Sequence, residues 1–138
     1  MRHAFWGMFH DGIITKLAGS VPGDVTIYIS IEYLRKQFHE PGIGFKINLR
    51  GCKVFSYQEF DEKAETNLDA IAIKNPEILR VDLTDDFVQI DCVMGTLTTS
   101  YESASVFLDT GTAITYEQLE SACDAYWEDW AARNKKSS

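Results

Sequence analysis

The residues with the most chemical potential in this sequence are the vicinal pair His10-Asp11. An imidazole beside a carboxylate can be half of a metal site or of an acid/base pair, and either use needs further groups from elsewhere in the chain. The only other histidines are His3 and His39. The cysteines, Cys52, Cys92 and Cys123, stand 40 and 31 residues apart, with no CxxC. That spacing fits no metal cluster, so no metal and no cofactor are expected. Each cysteine has apolar neighbours, where a thiol stays protonated and unreactive, which argues against Cys-His nucleophilic catalysis. No GxGxxG or GxxxxGK[ST] pattern offers a phosphate cradle. The carboxylate pairs Asp61-Glu62 and Asp85-Asp86 fall in expected surface turns and read as solvated charges. His10-Asp11-Gly12 itself reads best as a turn, because Asp bonds nearby backbone and Gly accepts positive φ.

Two further groups of side chains need placing. The aromatics Phe5, Trp6 and Phe9, and the set Tyr126, Trp127 and Trp130, resemble a ligand platform, but helical spacing predicts that they anchor a core. Glu117, Glu120, Asp124 and Glu128 are spaced by 3, 4 and 4 residues, which keeps them in one narrow sector of a helix. A solvated helix face explains that sector. The sharper reading is a docking surface for a basic partner.

The elements that must position these groups are legible from periodicity. Ile13 to Ala18 is a predicted strand, followed by the turn Gly19-Ser20-Val21-Pro22-Gly23-Asp24. Val25, Ile27, Ile29 and Ile31 alternate with Thr26, Tyr28, Ser30 and Glu32, the period of a strand with one buried face, and Tyr33 and Leu34 are expected to extend it. Phe45, Ile47 and Leu49 form a third strand, with Gly51 marking a bulge or bend before Lys53 to Tyr57 continues in extended form. Gln58 to Asn67 is expected as a loop with one helical turn, and Leu68 to Ile73 as a short strand or a helical fragment, the strand being preferred. Two alternating runs, Leu79 to Thr84 and Val88 to Val93, flank Thr84-Asp85-Asp86 and predict a β-hairpin. Tyr101 to Leu108 is the last predicted strand.

A helix is then predicted from about Tyr116 to Arg133. Thr115 and Gln118 form a capping box, and Leu119, Ala122, Cys123, Tyr126, Trp127 and Trp130 make one apolar stripe. Arg133, Lys135 and Lys136 suit the negative end of its dipole. Strands in succession followed by one terminal helix predict an α+β fold: a mainly antiparallel β-sheet packed against one C-terminal amphipathic α-helix. Residues 1–133 are expected as one domain and 134–138 as a disordered tail.

Composition narrows the function classes. A net charge of −8 over 138 residues repels nucleic-acid phosphates and anionic membranes and favours a basic protein as any macromolecular partner. No 18-residue apolar span occurs, and the opening stretch lacks the pattern of a secretion signal. With cysteines that read as reduced core residues, this points to the cytoplasm.

The dipeptide His10-Asp11 resembles that of the HD phosphohydrolases, which need additional His and Asp ligands on helices. A longer likeness covers most of the chain. Phe9-His10-Asp11-Gly12, Ile31-Glu32-Tyr33-Leu34, Leu49-Arg50-Gly51-Cys52 ahead of Phe55, and the tail from Thr115 to Trp130 resemble a family of small uncharacterised bacterial proteins. In size, charge and opening these are similar to bacterial toxin-immunity proteins. That resemblance implies a binding protein rather than an enzyme, an immunity-type inhibitor of a basic toxin domain. Two other readings stand beside it. One is a small-molecule-binding protein or hydrolase with a pocket between helix and sheet near His10 and Asp11. The other is an oligomerisation module that uses an open sheet edge.

Overall fold

A computed structural model describes residues 3–84 and 86–136. Asp85, of the expected hairpin turn and carboxylate pair, and Ser137 and Ser138, of the expected tail, lie outside the described residues, as do the side chains of Lys135 and Lys136.

The fold is α+β, with two antiparallel sheets. β1 (Ile13–Gly19), β2 (Gly23–Ser30) and β3 (Gly44–Cys52) run in sequence and are followed in space by β8 (Ser103–Leu108) and β9 (Ala113–Ile114). The second sheet has the order β4 (Val54–Glu59), β7 (Gly95–Ser100), β6 (Val88–Cys92) and β5 (Ile78–Leu83). Period-two alternation sets the registers: Ile27 pairs with Ile47 and Ile47 with Val106, so β-branched residues share the inner face across three strands.

Two short connections join the sheets. The β3–β4 and β7–β8 segments stay bonded to each other through a bend, with Glu102 N–H donating to the Arg50 carbonyl at 2.9 Å and Lys53 N–H to that of Ser100 at 2.8 Å. Gly51 turns this corner at φ 62°, in the left-handed region that glycine adopts without strain, as its position predicted. The sheets meet again where β1 begins: Ile78 N–H donates to Gly12 and Ile14 N–H to Pro76, both at 2.9 Å. The inner faces therefore share one apolar cluster, which takes in Phe5, Trp6 and Phe9 as predicted for the N-terminal aromatics.

Two segments differ from expectation, and one further strand was not foreseen. Tyr33 and Leu34 do not extend β2. They belong to a short helix, α1 (Glu32–Arg35), whose Leu34 and Arg35 are buried. Leu68 to Ile73 is a helix, α2, the alternative to the preferred strand. Asn67 caps it by accepting from Ala70 N–H at 2.9 Å, and Ile71 and Ala72 pack inward. Its six residues fit either period, and the asparagine cap decided between them. The run Gly95 to Ser100 is a central strand, hidden by its threonines. Thr99 is fully buried there because its hydroxyl donates to the Val54 carbonyl at 2.9 Å. Tyr101 lies just outside β8, and the two-residue β9 follows the strand expected to be last.

α3 (Tyr116–Lys136) runs past its predicted end and packs on the sheet through Leu119 and Ala122, with α1 and the 3-10 turn Ala4–Phe9 as direct neighbours. The capping box is formed in both directions. Gln118 N–H donates to Thr115 Oγ1 at 3.1 Å, and Thr115 N–H to Gln118 Oε1 at 2.8 Å. Thr115→Ala should lower stability by about 1 kcal/mol, read as a shifted urea midpoint with an unchanged slope.

Candidate functional site

α3 is longer than the surface available to it. At 1.5 Å per residue its 21 residues span about 32 Å, whereas its direct neighbours are short, the four residues of α1 and the six of the 3-10 turn Ala4–Phe9. Leu119 and Ala122 are buried, Cys123 and Tyr126 are half-buried, and every described residue beyond Tyr126 is exposed. Trp127 and Trp130 therefore do not anchor the core as their spacing predicted. They are 49% and 47% exposed and meet edge to face at 5.8 Å between ring centres.

The rings form a continuous path outward from the body of the protein. Tyr33 of α1 stacks on Tyr126 at 4.4 Å, Tyr126 meets Trp127 at 5.2 Å, and Trp127 meets Trp130. The sequence reading missed Tyr33 because it placed that residue in a strand. The Tyr33 hydroxyl donates to the His10 carbonyl at 2.6 Å. Burial, followed by the negative charge of Asp11, pushes this hydroxyl up to about 12, so it remains a donor at any ordinary pH.

Glu117, Glu120, Asp124 and Glu128 are all exposed. Trp127 follows Asp124 by three residues and Glu120 by seven, so the indole borders the acidic sector. The outer half of α3 thus carries a pair of half-exposed indoles, with carboxylates along the Trp127 side and Arg133 one turn beyond Trp130. Cys123 lies at their base, its thiol pushed up by burial against a hydrogen bond from Trp127.

His10 and Asp11 form a turn. The His10 ring approaches the Leu79 carbonyl through Nδ1 at 2.7 Å and Asp11 Oδ1 through Nε2 at 3.4 Å, and both side chains are open to solvent. Asp11 adopts φ 70°, its N–H donates to the Ile78 carbonyl at 2.8 Å, and Gly12 N–H closes the turn on Phe9. Gly12 is needed because a Cβ there would come within 2.7 Å of an Ile29 methyl. Tyr33 links this turn to α3, its hydroxyl on the His10 carbonyl and its ring on Tyr126.

A separate concavity of about 560 Å³ lies on the outer face of β2, β3 and β8, between Thr26, Tyr28, Lys46, Asn48, Arg50 and Phe107. Lys16 and Lys46 both sit over the Tyr28 ring, at 5.2 and 5.6 Å. Neither His10 nor Asp11 lines it.

The cysteines are free. Cys52 and Cys92 are buried, and burial, followed by the Asp91 charge, pushes the Cys92 thiol up to about 12. Among the described residues no three His, Cys, Asp or Glu side chains gather as metal ligands, and no helix is long and apolar enough to cross a membrane. Comparison with protein-family models, with curated proteins and with solved structures yields no match.

Proposed function

We propose that this chain is a small acidic binding protein that docks a basic protein through the outer half of α3, in the manner of an immunity-type inhibitor of a basic toxin domain. The observation that carries the reading is the pair of half-exposed indoles, Trp127 and Trp130, with Glu120 and Asp124 beside Trp127. Tryptophan dominates binding hot spots because it buries a large rigid surface on association. A half-exposed tryptophan pair leaves much of its apolar surface unused by the isolated fold, and that surface is available to a complex. The carboxylates beside Trp127 draw in a positively charged surface and reject a negative one, and the net charge of −8 adds to the same field. The rival pocket near His10 and Asp11 has no such support, since both side chains lie open to solvent in a bonded turn.

The test is co-expression with the product of the neighbouring gene, followed by titration of the purified pair. Trp127→Ala and Trp130→Ala should each weaken binding by about 2 kcal/mol, roughly thirtyfold, with the far-ultraviolet spectrum and melting profile unchanged. Charge reversal at Glu120, Asp124 and Glu128 together should slow association and remove its dependence on salt. The proposal fails if the neighbour is no basic protein and none co-purifies, or if the tryptophan variants bind as tightly as the parent chain.

A further inference from the structure

We infer that the concavity on the outer face of β2, β3 and β8 is a binding site for a small phosphorylated sugar, whose phosphate lies against Lys46 and Lys16. The pleat of the strands builds it, because alternate side chains point outward and fall into rows across the sheet. In one row Lys16 pairs with Tyr28, Tyr28 with Lys46 and Lys46 with Phe107. The next row is Thr26, Asn48 and Ser105, and Arg50 stands beyond it. Long side chains therefore flank short ones and hollow the face into a trough. Its volume of about 560 Å³ falls within the roughly 300–1,000 Å³ of small-molecule sites.

The charges specify the anion. Lys16 and Lys46 hold their ammonium groups over one ring, that of Tyr28, at 5.2 and 5.6 Å. The ring attracts each of them, but two like charges gathered on one ring repel each other. Among the described residues no carboxylate forms an ion pair with Lys16, Lys46 or Arg50. Asp24, the carboxylate that lines the trough, accepts from Gly51 N–H at 3.2 Å. An anion set against both ammonium groups relieves their repulsion. A phosphomonoester, with a charge of about −1.5 to −2 at neutral pH, balances both, whereas a carboxylate balances one.

The floor specifies the body of the ligand. Asn48 Nδ2 donates to Thr26 Oγ1 at 3.3 Å, which leaves Asn48 Oδ1 and the Ser105 hydroxyl without a bond among the described residues. An amide oxygen and a hydroxyl side by side meet the donors and acceptors of a sugar. Phe107, half-buried beside Lys46, adds an aromatic surface on which the base of a nucleotide can stack. The net charge of −8 disfavours an extended polyanion, which reaches well beyond the trough. A small ligand feels mainly the nearby cations, since charges more than about 8 Å away are screened at physiological ionic strength.

Calorimetric titration of the intact chain with ribose 5-phosphate, adenosine monophosphate, inorganic phosphate and adenosine tests the site. Both phosphorylated sugars should bind, inorganic phosphate roughly tenfold more weakly, and adenosine not measurably. Lys46→Gln and Lys16→Gln should each weaken the phosphorylated sugars roughly tenfold, the loss of one charge-assisted contact, with the melting profile unchanged. Tighter binding of adenosine monophosphate that Phe107→Leu removes would make the ligand a nucleotide, and equal binding of the two compounds a free sugar phosphate. The paired variant Trp127→Ala, Trp130→Ala should bind both like the parent, which separates this site from the α3 surface. The assignment is overturned if neither phosphorylated sugar binds, if inorganic phosphate or adenosine binds as tightly as they do, or if the lysine variants bind like the parent.

Discussion

Asp109→Ala should destabilise the fold by about 3–5 kcal/mol, the cost of leaving a buried charge without its partner. Arg35 is only 1% exposed, and its guanidinium is enclosed by backbone. Its Nε donates to Asp109 Oδ1 and to the Gly44 carbonyl, each at 3.1 Å. Its Nη2 donates to the Pro41 carbonyl at 3.0 Å, and its Nη1 to that of Glu40. The other oxygen of Asp109 accepts from Ile43 N–H at 2.9 Å and from Gly44 N–H at 3.1 Å. One carboxylate thus neutralises the arginine and holds two amides of the segment that leads into β3. Gly42 completes the arrangement, since a Cβ there would come within 2.4 Å of the guanidinium.

The same pair gives a pH dependence with a definite sign. Burial pushes the Asp109 carboxyl up, but donation from Ile43 N–H, Arg35 and Gly44 N–H outweighs it, and the group is held below the usual carboxylate range. A carboxylate lowered by folding stabilises the protein above its unfolded value of about 3.9, and that contribution is lost as pH falls through the lower folded value. Asp109→Asn should therefore flatten the acid limb of stability below about pH 4. Glu40 is held low in the same direction, chiefly by the hydroxyls of Thr110 and Thr112, so part of the limb will persist. Urea titrations of the parent and Asp109→Asn at a series of acid pH values provide the check. Parallel acid limbs would remove Asp109 from this role.

Trp6→Ala should cost a similar amount, about 3–5 kcal/mol, through the cavity it leaves. Trp6 is fully buried and lies against Phe5, with ring centres 4.8 Å apart. Its indole N–H donates to the Tyr101 hydroxyl at 2.7 Å, which also meets His3 Nδ1 at 2.9 Å. Tyr101→Phe keeps the ring volume but leaves that N–H unsatisfied and should cost about 1–3 kcal/mol. Calorimetry of the two variants separates the packing contribution from the hydrogen bond. Equal losses would mean that the bond, not the ring, dominates. Trp127→Ala makes the contrast within one residue type: half exposed, it should leave the melting temperature nearly unchanged.

That contrast between tryptophans shows where sequence reasoning stops. Trp127 and Trp130 continue the apolar stripe of Leu119 and Ala122 without a break, so periodicity assigns all four the same side. Whether that side meets protein or water depends on how far the opposing layer extends, and α1 ends after four residues. The stripe was legible, while its exposure was not. The acidic sector was legible because it depends only on spacing along one helix. His10-Asp11 was legible as a turn because Gly12 N–H closes it on Phe9, although its bonds to Ile78 and Leu79 are long-range and its positive φ falls on Asp11 rather than Gly12.

What the sequence by itself determined is therefore what neighbouring residues decide among themselves. This includes the period-two strands from Val25 to Ser30 and from Phe45 to Leu49, the corner at Gly51, the reciprocal Thr115–Gln118 cap and the hairpin of β5 and β6. Tertiary structure alone decided the division into two sheets, the burial of Thr99, and the joining of Arg35 to Asp109 across 74 positions. The physical reason is range. Backbone torsions, caps and side-chain alternation act over a few residues, but desolvation and charge pairing depend on whichever distant segments close around a group.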